Sequence, residues 1–358
     1  MKKIKVLCLF NKIGYSNIGL ENFANVTDEN IIKYVFIRKQ PVIEAQYILS
    51  RLYPNSKIKL LHQSGGIFQL SDAIKKIKPD VIHAHHTVPA FNASILKYIY
   101  RFKLLITAHS VFHAYSFFQK VAFYFSYIMS DLIVCNSNNT KISLPKLVFK
   151  NEITVVYNGI DFSLIDECYS HHDNKKIRFG TVCRLVPQKD LTTLIKAYSL
   201  FSNNIRADAY ELVIVGDGPE MTKLKALVSS LNLDQKVTFT GELSRSEVYK
   251  QLHKLDIFVV SSVIEGFCNA MVEAASAGKP VIATYTGPLP EVLGKENALF
   301  FEPGNIVELS ECLGKLFESK HLRELMAHKA KYFVRDIYSI EKSSNMYSLI
   351  YLKLAHNR

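Results

Sequence analysis

No apolar run in this chain of 358 residues reaches the roughly 20 needed to span a bilayer. The most apolar long stretch, Val111 to Met129, is interrupted by His113, Gln119 and Lys120. The first ten residues begin like a signal peptide. However, the run Val6–Phe10 is too short and no small-residue cleavage site follows, so the segment reads as a first β-strand. Disulfide and zinc spacings are missing too. The six cysteines (Cys8, Cys135, Cys168, Cys183, Cys268, Cys312) are scattered and form no Cys-x-x-Cys pair. Cys8, Cys135 and Cys183 lie in apolar runs, where a thiol behaves as a small core residue. With neither a signal nor a disulfide pattern, a reducing, cytoplasmic setting is expected. Low-complexity tracts are absent, and the 15 Gly and 11 Pro fall at punctuation points. A composition 48% hydrophobic and 21% charged excludes disordered, fibrous and disulfide-held miniature proteins. The length fits two domains.

Acidic residues are scarce in one half only. Residues 1–160 hold 20 Lys and Arg against 8 Asp and Glu, whereas residues 161–358 hold 24 of each. The whole excess of +12 therefore sits in the first half. Such asymmetry suits an anionic partner, either nucleic acid or an anionic membrane, with plain solubility as the alternative.

Strand-like runs alternate with helix-length segments throughout. They are Ile4–Phe10, Tyr34–Arg38, Ile58–His62, Asp80–Ala84, Leu104–Ala108, Leu132–Asn136 and Ile153–Tyr157, then Arg178–Cys183, Glu211–Gly216, Lys236–Thr240, Ile257–Ser261, Val281–Thr284 and Leu299–Phe301. Several are apolar continuously, as parallel strands buried on both faces are. Leu191–Phe201, Met221–Leu231 and Glu308–Phe317 carry apolar residues at helical spacing. The rhythm predicts an α/β protein with two doubly wound, Rossmann-like domains and C-terminal helices. The expected division is 1–165, 175–335 and a final helix at 336–358, with the boundary in the polar, turn-rich stretch Asp161–Lys176.

The second half carries anion-binding chemistry. Strand Arg178–Cys183 runs into Arg184-Leu185-Val186-Pro187-Gln188-Lys189-Asp190, where Arg184 and Lys189 flank a turn at a strand's carboxyl end. Arg can fork two phosphate oxygens while Lys acts as a point charge, and ligands bind at that edge of open α/β sheets. Further on, Glu265-Gly266-Phe267-Cys268 leads into a helix from about Asn269 to Ala277. Asn269 is its expected N-cap, Gly278 its C′ residue, and Pro280 lies just beyond. The amino end of that helix suits a diphosphate. Glu265 and Glu273, eight apart, can border one cleft and accept from hydroxyls on either side of the phosphates. Gly216-Asp217-Gly218-Pro219 closes another strand and opens another helix, with Pro219 in the first turn.

These residues, in this order, resemble the retaining GT-B glycosyltransferases of the glycogen synthase-like group, family 4, over nearly the whole chain. CRLVPQKDL is similar to the family's basic loop, IVGDGPE to its glycine turn and VVYNGID to its hinge-proximal segment. EGFCNAMVEAASAGKPVIATYTGPLPEV resembles its long E-x7-E signature. The resemblance implies a nucleotide-diphosphate sugar as co-substrate, with uridine as the default base, and no other cofactor. Arg184 and Lys189 would grip the diphosphate, Glu273 the ribose, and Glu265 would sit by the donor sugar. Backbone amides from Phe267 through Cys268 and Asn269 to Ala270 would touch sugar and phosphate. No essential metal is implied, in keeping with the lack of an Asp-x-Asp motif. The acceptor would bind mainly to the first domain, with reaction in the cleft between domains.

In the first half, the loop Asn11–Glu21 corresponds to the family's Gly-Gly loop but holds only the isolated glycines Gly14 and Gly19, so Gly14 is the candidate donor contact there. Thr107-Ala108-His109-Ser110 resembles the Thr-x-His segment, which makes His109 the candidate for contact with the reacting sugar. No general-base role is implied, because in retaining members the leaving phosphate takes the acceptor's proton. His83 and His85, on one face of their strand, could form a metal pair, but no third ligand is recognisable. Residues 97–129 combine many aromatics with Lys97, Arg101, Lys103 and Lys120. This suits an anionic bilayer surface and with it a saccharide or lipid-linked acceptor. No nucleic-acid motif accompanies them.

The sequence thus points to a bacterial-type, metal-independent retaining glycosyltransferase of cell-surface polysaccharide assembly (capsule, O-antigen or lipopolysaccharide). It would be cytoplasmic and peripheral at the inner face of the membrane. The alternatives are a GT-B nucleotide-sugar epimerase and a non-catalytic nucleotide-sugar- or glycolipid-binding partner.

Overall fold

The computed structural model describes residues 3–14, 17–61, 65–169, 176–202 and 209–356. His62, Tyr15 and Ser16 of the segments singled out above lie outside the described residues, as do residues 170–175 of the expected boundary.

All thirteen strand-like runs are strands, with ends shifted by up to three residues, the most at β2, which starts at Ile31 where Tyr34 was expected. The first sheet holds β1 (Ile4–Phe10), β2 (Ile31–Ile37), β3 (Lys59–Leu60), β4 (Val81–His85), β5 (Lys103–Ala108), β6 (Leu132–Cys135) and β7 (Glu152–Val155). Its order is β3-β2-β1-β4-β5-β6-β7, parallel throughout. The second holds β8 (Ile177–Val182), β9 (Tyr210–Val215), β10 (Val237–Gly241), β11 (Ile257–Val260), β12 (Val281–Thr284) and β13 (Ala298–Phe301). Its order is β10-β9-β8-β11-β12-β13, again parallel. Helices cover both faces. In β1, Val6, Cys8 and Phe10 enter one core while Leu7 and Leu9 enter the other, and for that reason the run is apolar without alternation.

Strand order reverses between β1 and β4 in the first sheet and between β8 and β11 in the second. At such a switch point the connections leave in opposite directions and a crevice opens at the strands' carboxyl ends. The loops after β8 and β11, which carry Arg184, Lys189 and Glu265, flank that crevice. Those after β1, β4 and β5, which carry Gly14, His86 and His109, lie at the corresponding edge of the first sheet.

The chain forms two compact units, 1–159 with 340–358, and 160–339. This division differs from the expected one at both ends. The polar stretch after Asp161 misleads because the apolar anchors beside it, Ile160 and Ile165, are fully buried in the second unit. The Ile160 amide donates to Tyr338 O at 2.8 Å, and Arg335 forks Asp166 at 2.9 and 2.5 Å. The final helix, Ile340–His356, is no separate element. Its Tyr347, Tyr351 and Leu354 complete a core of the first unit.

Gly216, at the end of β9, has φ +129°, and a Cβ there would lie 2.0 Å from Cys183 O. This close approach lets the glycine turn clamp the segment after β8. Gly216→Ala is expected to lower the stability of the second unit by about 2–3 kcal/mol or more. Gly314→Ala, on an unobstructed helix position, should instead raise it by about 0.5–1 kcal/mol. Urea unfolding of both variants checks the contrast.

Candidate active site

In the second unit the site begins where β8 ends. The Cys183 amide donates to Val215 O (3.0 Å), the Leu185 amide to Asp217 O (2.9 Å), and the Glu220 amide to Leu185 O (3.1 Å). The backbone on either side of Arg184 is therefore fixed while its side chain is exposed, with no hydrogen-bond or ionic partner among the described residues. A single 3-10 turn, Pro187–Lys189, follows. Asp190 (φ +41°) then caps the next helix, accepting from the Thr193 amide and hydroxyl at 3.3 and 2.6 Å.

The loop after β11 is stitched onto this turn. The Val263 amide donates to Gln188 O at 2.9 Å, and Ser261 Oγ donates to Lys189 O at 2.8 Å. The Lys189 ammonium pairs with Glu265 Oε1, which also accepts from Ser262 Oγ at 2.8 Å. Glu265 is only 8% exposed. Burial works to lower the Lys189 pKa, but the neighbouring Cys268 and Glu265 more than offset it, and the pKa stands above the ordinary lysine value. The ammonium therefore stays charged across the neutral range.

Phe267 is buried edge-on against Tyr338, ring centroids 5.2 Å apart, so its side chain is an anchor. The expected N-cap is corrected here. The helix is Asn269–Ser276, Asn269 is its first residue, and the cap is Cys268, in the left-handed region at φ +73°. The sharp turn from Glu265 moves the helix entry back by one residue. The Cys268 side chain makes no capping bond to the helix amides. Glu273, one turn in, accepts from Tyr249 Oη at 3.3 Å, and Arg245 Nε donates to that phenol at 2.6 Å. The structure thus gathers Lys189, Glu265 and Cys268, and holds Arg184 on the same loop. Sequence reasoning missed Ser261, Ser262, Tyr249 and Arg245. The serine pair directly after an apolar strand was a readable signal, whereas the Tyr249–Arg245 support comes from a separate helix with no motif.

In the first unit, β4 and β5 run into a cleft of about 400 Å³ lined by Asn11, His86, Thr87, His109, Tyr115 and Phe118 among others. Asn136 Nδ2 donates to His109 O at 3.0 Å and fixes its backbone. Behind it, His85 Nδ1 lies 2.9 Å from His109 Nε2. His83 is bonded to Tyr351 Oη (2.8 Å) and Thr107 Oγ1 (2.7 Å). Burial, with His109 nearby, pushes His83 down to about 3, and burial, with His86 nearby, does the same to His109. Cys8 supplies the third group that the sequence did not show beside His83 and His85, their ligand atoms all within 4.8 Å. Both ring nitrogens of His83 are already spent on hydrogen bonds, however, which gives this buried cluster a structural account. Gly19 packs on His85, where a Cβ would come within 2.8 Å of the ring. At Gly14 a Cβ would meet no atom of the described residues within 4 Å.

Comparison with known proteins agrees with this geometry. The family model for glycosyl transferases group 1 matches residues 169–333, and that for glycosyltransferase family 4 matches residues 35–164. The chain belongs to the family 4, group 1 glycosyltransferases and is a glycosyltransferase with two Rossmann-like units of GT-B type. It is 29% identical over 313 residues to an uncharacterised glycosyltransferase of Methanocaldococcus jannaschii, covering 86% of this chain and 82% of that protein. It is 29% identical over 210 residues to an N-acetylgalactosamine-N,N'-diacetylbacillosaminyl-diphospho-undecaprenol 4-alpha-N-acetylgalactosaminyltransferase of Campylobacter jejuni (57% of this chain, 56% of that one). Among solved structures, Anabaena HepE in complex with UDP superposes with a TM-score of 0.80 at 18% identity, covering 97% and 99% of the two chains.

Lys189→Met should leave the Glu265 charge buried and unpaired, and destabilise the second unit by about 3 kcal/mol. Adding Glu265→Gln should recover most of that loss in chemical denaturation. In the first unit the histidines set an acid limit. His83 is uncharged when folded, and its unfolded counterpart takes a proton below about 6.5, so stability falls as pH drops from there towards about 3. His83→Gln should reduce the stability lost between pH 7 and pH 5 by about 2 kcal/mol.

Proposed function

We propose that the chain transfers a sugar, with retention and without a metal, from a nucleotide-diphosphate sugar to a saccharide or lipid-linked acceptor of cell-surface polysaccharide assembly. One observation carries this reading: a charged lysine, a buried carboxylate and a helix amino end meet at the switch point of the second sheet. Lys189 has three donors, so it can keep Glu265 and still meet a phosphate oxygen. Arg184, exposed on the same loop, supplies a second cation, and the helix beginning at Asn269 adds its dipole. Together they stabilise the departing diphosphate. The bond from the anomeric carbon to phosphate oxygen breaks, the bond to the acceptor oxygen forms, and the acceptor's proton leaves on the phosphate. Glu273 suits the ribose and Glu265 the donor sugar. Uridine is favoured as the base, in line with the UDP held by HepE.

The first unit suits the acceptor. Its excess charge of +12 within residues 1–160 favours an anionic membrane. The helix Phe117–Met129 adds exposed Phe117, Phe118 and Val121, and Tyr98 and Ile99 are exposed in the turn after the helix Thr87–Leu96. Phe118 also lines the cleft at His109. No helix among the described residues is long and apolar enough to cross a membrane, so contact would be peripheral, at the inner face of the cytoplasmic membrane. The lipid-linked substrate in the name of the Campylobacter relative supports an acceptor of this class.

Thermal stabilisation against uridine, guanosine and adenosine diphosphates and their sugars, with and without EDTA, tests the donor site. A ligand at 100 times its Kd should add about 2.7 kcal/mol. The expected result is a shift for one nucleotide that survives EDTA and vanishes in Arg184→Ala. No shift with any nucleotide sugar, in a folded protein, would favour a non-catalytic binding partner. Flotation with vesicles containing phosphatidylglycerol, but not with phosphatidylcholine alone, tests the membrane face, and Phe117→Ser with Phe118→Ser should abolish it.

A further inference from the structure

His109 reaches the cleft with one ring nitrogen already committed. Its Nε2 lies 2.9 Å from His85 Nδ1, while its Nδ1 makes no hydrogen bond among the described residues. Burial, together with His83, His109 and His86, holds the His85 pKa well below its usual value, and that of His109 is pushed down to about 3. Each ring therefore carries a single proton at neutral pH, and one of the two must donate to the other.

The far side of His85 decides which. Its Nε2 is buried with no hydrogen-bond partner among the described residues. If His109 were the donor, the His85 proton would sit on that nitrogen as an orphaned buried N–H, the rarer and costlier defect. With the proton on His85 Nδ1, the nitrogen left over is a bare lone pair among rings. Phe10 stacks on His85 at 4.6 Å, His83 lies at 4.1 Å, and Gly19 leaves the ring its space. On the cleft side, His86 stacks on His109 at 5.9 Å.

We propose that His85 is a positioning residue that holds His109 with its Nδ1 proton toward the cleft and its Nε2 lone pair occupied. His109 then donates a hydrogen bond to a bound hydroxyl or ring oxygen, and has no lone pair with which to take a proton. What His109 touches rests on the glycosyl-transfer reading; its tautomer does not.

The test is two-bond 1H–15N correlation at pH 7 on the full chain labelled at histidine, without nucleotide. A free imidazole favours the Nε2 proton, so a merely structural His109 would show that form. The expected spectrum has His109 protonated at Nδ1 and bare at Nε2. His85→Asn, whose amide donor stands near the Nδ1 position, should keep that form, and His85→Phe should return His109 to the Nε2 proton. A charged His109, an Nε2-protonated His109 in the wild type, or an unchanged tautomer in a folded His85→Phe would each overturn the proposal. Should His85→Phe fail to fold, the wild-type and His85→Asn spectra decide. Because no nucleotide is present, failure here leaves the donor-site reading standing, and a failed nucleotide shift leaves this one standing.

Discussion

A parallel sheet covered by helices on both faces has only its ends open to chemistry. The rest of this structure depends on that constraint. Both sheets bury their strands so completely that polar side chains can gather only where the strands stop, and strand order reverses once in each. The basic turn and the Glu265 loop are far apart in sequence, yet they become neighbours because β8 and β11 are adjacent at the reversal. The same rule brings Asn11, His86 and His109 together after β1, β4 and β5.

The turns at those ends are held by backbone, which leaves side chains available. Leu185 exchanges amide bonds with the glycine turn, Val263 bonds across to Gln188, and Asp190 spends its carboxylate on Thr193. The backbone around Arg184 is thereby fixed while its guanidinium is exposed and has no partner among the described residues. Cys268 accepts a left-handed backbone, since that turn carries the chain from the Glu265 loop into the helix.

The strands were legible because burial on both faces writes itself as unbroken apolar runs, and all thirteen are found. The two motif loops were legible because charge and glycine stand out at strand ends. Three things were not. The domain boundary was misplaced because polarity marks a surface, whereas membership of a unit is decided by buried anchors such as Ile160 and Ile165. The final helix reads as an appendage in sequence, yet Tyr347 and Tyr351 reach the core of the first unit through pairings no local pattern encodes. The cap of the helix at Asn269 was off by one because a cysteine in left-handed conformation has no propensity signature.

The two clusters solve one electrostatic problem in opposite ways. In the second unit the neighbouring Cys268 and the buried carboxylate of Glu265 hold the Lys189 pKa above its ordinary value despite burial, so a charged ammonium is fixed on its loop. In the first unit burial without a carboxylate strips the histidines of charge and leaves them as oriented dipoles. An uncharged imidazole can orient a hydroxyl by hydrogen bonding without attracting an anion. The fixed cation and the neutral imidazoles therefore follow from one difference, the presence or absence of a buried carboxylate beside the titratable group.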